Sequence, residues 1–348
     1  MLGTLWRLLF RRIAGVRGSG GTEPRRAEVL ISADLSVNRE RIGSAFGNSP
    51  DLVTRDLWTG ARGRISALVI HIDGLVDKRL LAEAVVERIT GLQLEWTDPA
   101  QAYEDLKTRL LASSGVEEVD TLGEFIGGIA RGDAGVLVDG VAKGLVCALR
   151  GWEQRSVEEP TTESTVRGSK EGFVEALRTN TSLLRRRIMS PQLWIEEVTI
   201  GRITRTRVAI AYIAGVVNED IVEEVRNRLK RIDVDAIHES GNIEEFIEDA
   251  PLSPFPTIAR TERPDRVAGA LTDGRVAILT DGTPFVLIVP ATFTMFLTSS
   301  EDYYERYFAG SAIRLLRIAA FFISLTLPAL YVAVTTFHQE MLPTPLVL

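Results

Sequence analysis

Cysteine and histidine are scarce in this chain of 348 residues. The single cysteine, Cys147, excludes an internal disulfide and a thiolate metal cluster. The three histidines (His71, His238 and His338) are scattered along the sequence, so they do not support a histidine metal site. We expect neither a metal ion nor another cofactor.

Positive charge is also in short supply. Lysine and arginine number 40 against 47 aspartates and glutamates, a formal net charge of −7. Binding to duplex nucleic acid depends largely on neutralising phosphates, so we expect no nucleic-acid partner. The composition, 45% hydrophobic and 25% charged, is that of a folded globular protein. At roughly 150 residues per domain, the length favours two domains.

Sequence motifs of catalysis are absent as well. The chain has no P-loop, GxSxG, HExxH, or GxGxxG after a strand. Cys147 and His71 lie in apolar segments, where core packing explains them best. Asp73 and Asp77, at the end of a predicted strand, could hold a small ligand, although a turn and a helix cap explain them more simply. We assign no catalytic residue and expect the protein not to be an enzyme.

One long uncharged run stands out, from Ile318 to Phe337. Twenty helical residues at 1.5 Å each span the hydrocarbon core of a bilayer, about 30 Å thick. We predict a transmembrane helix there, in which Pro328 is tolerated. A buried helix of a large soluble domain is the alternative. The predicted membrane residues are Ile318, Phe321, Phe322, Pro328, Tyr331 and Phe337.

The sequence before this run predicts how it is oriented. Arg314 and Arg317 lie just before it, so the positive-inside rule places the N-terminal bulk in the cytoplasm. Ser300 is a possible cap for a juxtamembrane helix within the segment 300–348. That helix would place an aromatic belt on one side, formed by Tyr303, Tyr304, Tyr307 and Phe308.

The N-terminal segment, residues 1–27, is a basic leader and linker. Arg7 interrupts its apolar run, and no cleavage site follows, so a secretory signal is not predicted. Two interpretations are open: a short amphipathic helix on an anionic membrane, or a frayed leader. Residues 15–26 are rich in glycine and predict a flexible linker.

Two segments of the chain repeat each other. Residues 50–77 align without a gap on residues 191–218, and residues 132–140 align on residues 274–282. Asp77 and Asn218 end the first pair as predicted helix caps, and an Asp-Gly dipeptide ends the second pair at a predicted hairpin. We predict two α/β modules, residues 28–150 and 191–299, each a mixed sheet flanked by helices. Chance similarity of two βα units is the alternative.

The connection between the modules, residues 151–190, mixes charges with aromatic and aliphatic residues. We predict a helix over residues 170–188 that buries one stripe and presents arginines on another. Such a charged helical linker suits a hinge or a subunit interface, because arginine and aromatic anchors are favoured there. A merely solvated face is the alternative.

Three long segments carry a family resemblance: residues 150–188, 246–293 and 301–346. They resemble the GerA-type spore germination proteins, specifically the A subunit of nutrient germinant receptors. The resemblance implies a membrane subunit that takes part in germinant-triggered signalling or ion release. It also implies partner B and C subunits, contact with membrane lipid, and a homo-oligomer formed through the A subunit.

The matching motifs also supply candidate assembly residues. Those in the first motif are Arg155, Glu158, Glu159, Glu163, Arg167, Glu171, Phe173, Arg178 and Asn180. Those in the second motif are Glu262 and Arg263. We expect these residues to hold the two modules in register and to present a surface to neighbouring subunits, with Glu159 and Arg167 as a candidate pair.

Proteins of this family usually continue through several further spans, whereas this sequence stops at Leu348. A truncated reading frame, a fragment and a genuine single-span form are all open. We do not expect these residues alone to form a channel. A function of another class remains: a membrane-anchored, two-lobed α/β module that binds a small cytoplasmic metabolite in the cleft between its lobes.

Overall fold

The computed structural model describes residues 29–59, 65–90, 98–111, 115–151, 160, 163, 168–249, 253, 255–299, 302 and 304–337. The predicted leader, residues 1–27, lies outside the described residues.

In its described residues, the first module contains five strands and four helices. Its strands are β1 (Leu52–Thr59), β2 (Ile65–Ile72), β3 (Val116–Val119), β4 (Ala134–Val138) and β5 (Gly144–Cys147). Its helices are α1 (Leu35–Ala45), α2, α3 (Pro99–Leu111) and α4 (Leu122–Ala130). Helix α2 consists of Lys78–Leu81 and Glu87–Thr90 around one π-helical turn, Ala82–Val86.

The second module repeats this order of elements. Its strands are β6 (Leu193–Ile200), β7 (Thr206–Ile213), β8 (Ala259–Thr261), β9 (Val276–Thr280) and β10 (Val286–Val289). Its helices are α5 (Leu177–Arg187), α6 (Glu219–Arg231), α7 (Ser240–Ile247) and α8 (Pro264–Thr272). The short helix α9 (Phe293–Phe296) and the long helix α10 (Tyr307–Phe337) follow.

The two sheets share one strand order, β1-β2-β4-β5-β3 in the first module and β6-β7-β9-β10-β8 in the second. The predicted duplication is therefore confirmed, and with it the α/β class. The Asp-Gly hairpins are confirmed too, since β4 pairs with β5 and β9 with β10. Gly140 and Gly282 take φ values of 85° and 92° in these turns, a conformation that favours glycine.

The prediction of mixed sheets was wrong, because the strand pairings of both sheets are antiparallel. A strand followed by a helix suggested a parallel crossover. Between β2 and β4, however, the chain runs through two helices, β3 and α4, and enters β4 from the opposite end.

Helices cover both faces of each sheet. In the first module, α2 and α3 pack on the face of Ala67 and Val69, while α1 and α4 pack on the face of Leu68 and Ile70. In the second module, α6 and α7 pack on the face of Val208 and Ile210, while α5 and α8 pack on the face of Ala209 and Ala211. Both faces of the central strands are therefore apolar, as their continuous hydrophobic runs suggest.

Helix α5 lies within the predicted linker and packs in the core of the second module. It occupies the place that α1 occupies in the first module, 142 positions earlier, and both helices are 11 residues long. The predicted helix over residues 170–188 is shorter in the structure, because it begins only at Leu177. Leu177 donates its backbone N–H to Asp281 Oδ1 at 3.0 Å, which fixes this first turn.

Helix α10 contains the predicted apolar span and begins eleven residues earlier. Among the described residues, α10 is the one helix that is long enough and apolar enough to cross a membrane. No residue of its most apolar stretch is buried against the rest of the chain. Pro328 lies inside it, and Ile318, Phe321, Phe322, Tyr331 and Phe337 lie along it. A separate juxtamembrane helix was wrongly predicted: Tyr304 lies in a turn, and Tyr307 and Phe308 belong to α10 itself. Ser300, Tyr303 and His338 lie outside the described residues.

Candidate functional site

An asparagine holds the chain in place at the start of α5. Buried Asn180 accepts a hydrogen bond from the Val174 amide at 2.8 Å and donates one to the Val174 carbonyl at 2.5 Å. Asn38 does the same for Ser32 in the first module, at 2.9 and 2.7 Å. The amide side chain satisfies a donor and an acceptor at once, so both modules use the same device to turn the chain into a helix.

Arg185 of α5 reaches back into the first module. Its Nε and Nη2 donate to the two carboxylate oxygens of Asp51 at 2.8 and 3.0 Å, and both side chains are 1% exposed. Its Nη1 donates to the Leu193 carbonyl at 2.5 Å, and its guanidinium lies 5.8 Å from the ring centre of Phe46. This bidentate pair joins the loop before β1 to α5 and β6.

Around this ion pair, β6 docks on the turn that follows α1. The Ile195 amide donates to Ser49 Oγ at 3.0 Å, and Trp194 Nε1 donates to the Ala45 carbonyl at 3.2 Å. Gly47 lies so close that a Cβ there would be 2.3 Å from the Trp194 ring. The two modules therefore meet through a buried polar seam as well as through the covalent connection.

Arg178, a predicted assembly residue, bridges the modules at a second point. Its Nε lies 3.6 Å from Asp73 in the first module, and its Nη2 lies 3.3 Å from Glu197 in the second. Asp73 also pairs with Lys78 at 3.0 Å. This contact surrounds the β2–α2 turn, where Asp77 caps α2 as predicted.

The C-terminal end of α5 is tied to the segment before it. Glu171 accepts from Arg186 Nη2 at 3.0 Å and from Arg187 Nη2 at 2.9 Å. Arg187 Nη2 also donates to Ser169 Oγ at 2.6 Å. Phe173, another predicted residue, is buried, and its amide donates to the Glu262 carbonyl at 2.8 Å. Charges and apolar anchors of the first motif thus contact the second motif.

The second motif lies against Glu163. Arg263 is 1% exposed and donates to the carbonyls of Glu163 and Ser169, each at 3.1 Å. Glu163 Oε1 accepts from Arg266 Nη1 at 2.5 Å, and its other oxygen accepts from the Thr261 hydroxyl. Glu163, Glu262 and Arg263 are therefore brought together around the N-terminus of α8.

Asp265 connects this cluster with the segment before α10. Its carboxylate accepts from Arg263 at 2.7 Å and from the Tyr304 hydroxyl. Burial raises the pKa of Asp265, but the hydrogen bonds from Arg263 and Tyr304 outweigh burial and hold it below the ordinary value. Burial and the same carboxylate raise the pKa of Tyr304. The aspartate is therefore an anion, and Tyr304 remains its donor.

Asp302 forms a second contact with α10. Its side chain is 3% exposed and accepts from Arg317 Nη1 at 2.9 Å and from the Ser299 amide at 3.0 Å. Arg314 Nε lies 3.8 Å away. Burial raises the pKa of Asp302, but the hydrogen bonds from Arg317 and from the Ser299 amide outweigh burial and hold the pKa below its usual value. The arginines expected to set membrane orientation thus also hold α10 to the second module.

Aromatic rings continue this junction along α10. Phe293 of α9 packs edge-on against Phe321 at 5.3 Å between ring centres and against Phe255 at 5.8 Å. Phe255 and Phe293 are 55% and 45% exposed. Since Phe321 lies within the predicted span, this part of the second module lies beside the start of that span.

The cysteine and the histidine considered for chemistry lie inside the first module. Cys147 is buried in β5. His71 is buried in β2, and burial, with the Arg55 charge adding, lowers its pKa from 6.5 to about 4. Among the described residues, no group of three or more histidine, cysteine, aspartate or glutamate side chains is placed to hold a metal ion.

Seven of the eleven predicted assembly residues are described. Arg178 contacts the first module, Asn180 fixes the start of α5, and the other five lie in the contacts between the segment before α5, the end of α5 and the start of α8. The other four, Arg155, Glu158, Glu159 and Arg167, lie outside the described residues, so the Glu159–Arg167 pair stays a prediction. Sequence reasoning missed Asp51, Arg185 and Asp302. Only the run of arginines at 185–187 hinted at this junction, and it gave no clue to a partner 134 positions away.

The sequence profile of the Bacillus/Clostridium GerA spore germination protein family matches residues 40–348. The chain belongs to the GerA family. This GerA-family chain is 43% identical over 318 residues to spore germination protein KA of Bacillus subtilis (strain 168), covering 91% of the chain and 58% of that protein. It is 34% identical to spore germination protein GerLA of Bacillus cereus, covering 91% and 64%.

A solved structure also resembles this GerA-family chain. It is the crystal structure of the N-terminal domain of the A subunit of the Bacillus megaterium spore germinant receptor GerK3. The TM-score is 0.58 at 35% identity, over 77% of this chain and 99% of that one. The chain spans about three fifths of the length of the full-length relatives named above.

Proposed function

We propose that this chain acts as the A-type membrane subunit of a spore nutrient germinant receptor. The two modules form a cytoplasmic unit that is anchored by α10, and B and C subunits assemble with it. Other copies of the chain and membrane lipid complete the assembly. In that assembly, the chain takes part in germinant-triggered signalling or ion release, and it carries out no chemical step of its own.

One structural observation carries the proposal: a continuous series of buried and partly buried polar contacts from the first module to the turn before α10. Asp51 binds Arg185 in the last turn of α5, and Arg187 of the same turn leads through Ser169 and Arg263 to Asp265 and Tyr304. Buried charge networks hold their parts in fixed geometry, because a displaced charge is left without a partner. Movement of either module would therefore be transmitted to the start of α10.

The relatives support the same assignment. The two Bacillus relatives are named spore germination proteins, and the GerK3 domain belongs to the A subunit of a germinant receptor. The positive charges Arg314 and Arg317 at the start of α10 support a cytoplasmic location for the modules.

The variant Tyr304→Phe tests the coupling. It removes the hydroxyl that donates to Asp265 and keeps the ring, so the chain should still accumulate in the membrane. We expect germination in response to nutrient to slow severalfold in spores that carry this variant as their only copy. Tyr307→Phe is the matched control, since Tyr307 is 87% exposed three positions later. Equal germination rates for both variants, at equal abundance, would refute the coupling.

Binding of a small metabolite is a second candidate function. It is favoured by a cavity of about 530 Å³ at the module junction, between the β2–α2 turn and α5. The pockets that hold small ligands in other proteins have volumes of roughly 300–1,000 Å³, and this cavity falls within that range. Calorimetric titration of the chain with nucleotides and amino acids would show saturable binding if this function is correct.

A further inference from the structure

A smaller cavity of about 310 Å³ lies beside the first module and the C-terminal end of α5. Two of its arginines come from the first module, one at the end of α4 and one after β5, and three come from the last turn of α5. They are Arg131, Arg150, Arg185, Arg186 and Arg187. We name this cavity the arginine cleft.

Carboxylates near the arginine cleft balance only part of this charge. Arg150 forms a bidentate pair with buried Asp133 at 2.7 and 2.8 Å. Arg185 is paired with Asp51, and Glu171 lies between Arg186 and Arg187. The charge of Asp265 also acts on Arg187. Among the described residues, five guanidinium groups thus face four carboxylates, so positive charges outnumber negative charges by one.

Two of the guanidinium groups have N–H donors that their carboxylate partners leave unoccupied. Arg131 is 46% exposed, and its Nε lies 4.0 Å from Asp133, whose oxygens already accept from Arg150. Arg187 has a buried Nε that lacks a hydrogen-bond partner. The C-terminus of α5 favours cations within its own last turn, but this effect does not explain Arg131 and Arg150 on another module.

We propose that the arginine cleft binds the phosphate group of a small ligand. Guanidinium groups present paired N–H donors that match two phosphate oxygens, and a phosphate monoester carries up to two negative charges near neutral pH. Leu75 and the 60% exposed Met189 add apolar wall, which suits a phosphate ester with a small apolar part. The bound phosphate would join the first module to α5. This inference does not rest on the proposed receptor function.

The test is calorimetry on the full chain in nanodiscs of zwitterionic phospholipid, with inorganic phosphate and phenyl phosphate as probes. We expect saturable binding that weakens with salt, and tighter binding of phenyl phosphate. Arg131→Gln should weaken binding by about tenfold or more, as expected when one charged hydrogen-bond donor is lost. Arg202→Gln is the matched control, because Arg202 is 66% exposed and pairs only with surface carboxylates, Asp233 and Asp235.

A second variant guards against misfolding. Met189→Glu places a carboxylate at an exposed position of the cleft wall and should abolish binding while the circular dichroism spectrum stays unchanged. Nanodiscs that contain anionic phospholipid separate two sources of phosphate: competition with phenyl phosphate indicates a lipid headgroup, and unchanged binding indicates a soluble ester. The assignment is overturned if neither probe nor lipid binds, or if Arg131→Gln and Met189→Glu bind like the unmodified chain.

Discussion

Arg185 and Asp51 form a bidentate ion pair across the two modules, and solvent reaches only 1% of either side chain. Arg185 belongs to α5 of the second module, and Asp51 precedes β1 of the first. A charge buried this deeply is costly to desolvate and is tolerated only when its partner is fixed. The pair therefore fixes the relative position of the modules more than it adds to their stability.

Removing one partner should be far more damaging than removing both. Asp51→Ala leaves a buried guanidinium and should lower the free energy of unfolding by about 3–5 kcal/mol. The double variant Asp51→Leu with Arg185→Met should recover much of that loss. Urea unfolding of the chain in detergent, followed by circular dichroism, measures both.

The exposed pair between Arg39 and Asp56 provides the control for this prediction. Both side chains are 43% exposed, so Asp56→Asn should change the free energy of unfolding by no more than about 1 kcal/mol. If Asp51→Ala is as mild as Asp56→Asn, the pair does not hold the modules together.

The repeated asparagines should be individually essential for their own module. Asn180→Asp removes the amide donor to the Val174 carbonyl and buries a carboxylate, at a cost of about 1–3 kcal/mol or more. Asn38→Asp should do the same to the first module. Hydrogen exchange should show faster exchange in the module that carries each variant, and Asn227→Asp, on half-exposed α6, should change neither. Exchange that rises equally in both modules would contradict independent roles.

The duplication was readable from sequence because turns and caps recur at a fixed offset. Asp77 and Asn218 act locally, so their role follows from neighbouring residues. The equivalence of α1 and α5 was not recognised, since few surface residues repeat and the charges of α5 suggested a free-standing linker. The Arg185–Asp51 pair depends on how the modules dock, and no local pattern encodes a contact over 134 positions.

His71 should make the first module sensitive to mild acid. Its pKa is about 4 in the folded chain, against 6.5 without burial. The unfolded chain therefore binds a proton on this histidine at a higher pH than the folded chain does. The contribution of His71 to the free energy of unfolding is constant above pH 6.5, falls as the pH drops towards 4, and levels off below pH 4. The full loss amounts to about 3 kcal/mol at most.

Replacing this histidine provides the measurement. His71→Leu should remove the loss of stability between pH 6.5 and about 5, where most carboxylates remain ionised. His238→Leu, at an exposed position, keeps His71 and should keep the loss. A pH dependence that survives in His71→Leu would assign it to another group.

Orientation in the membrane is tested by labelling. In a chain whose buried Cys147 is replaced by alanine, Leu342→Cys should react with an impermeant thiol reagent from outside the cell. Gly60→Cys should react only after the membrane is opened, because Arg314 and Arg317 favour a cytoplasmic location for the modules. The reverse pattern would overturn the orientation.

The close contact between Gly310 and Asp302 predicts that α10 tolerates no side chain there. A Cβ on Gly310 would lie 2.5 Å from the Asp302 carbonyl oxygen, so Gly310→Ala must push the helix away from the segment that joins it to the second module. We expect a loss of about 1–3 kcal/mol in the stability of this junction, as for other overpacked sites. Ser311→Ala, at the next and exposed position, is the control.

Asp302→Asn should weaken the same junction without steric strain, because it removes the charge that binds Arg317. Limited proteolysis of the segment 297–306 reports the separation directly: cleavage should be faster in Gly310→Ala and in Asp302→Asn than in Ser311→Ala. Equal cleavage in all three would show that α10 is held to the module by other contacts.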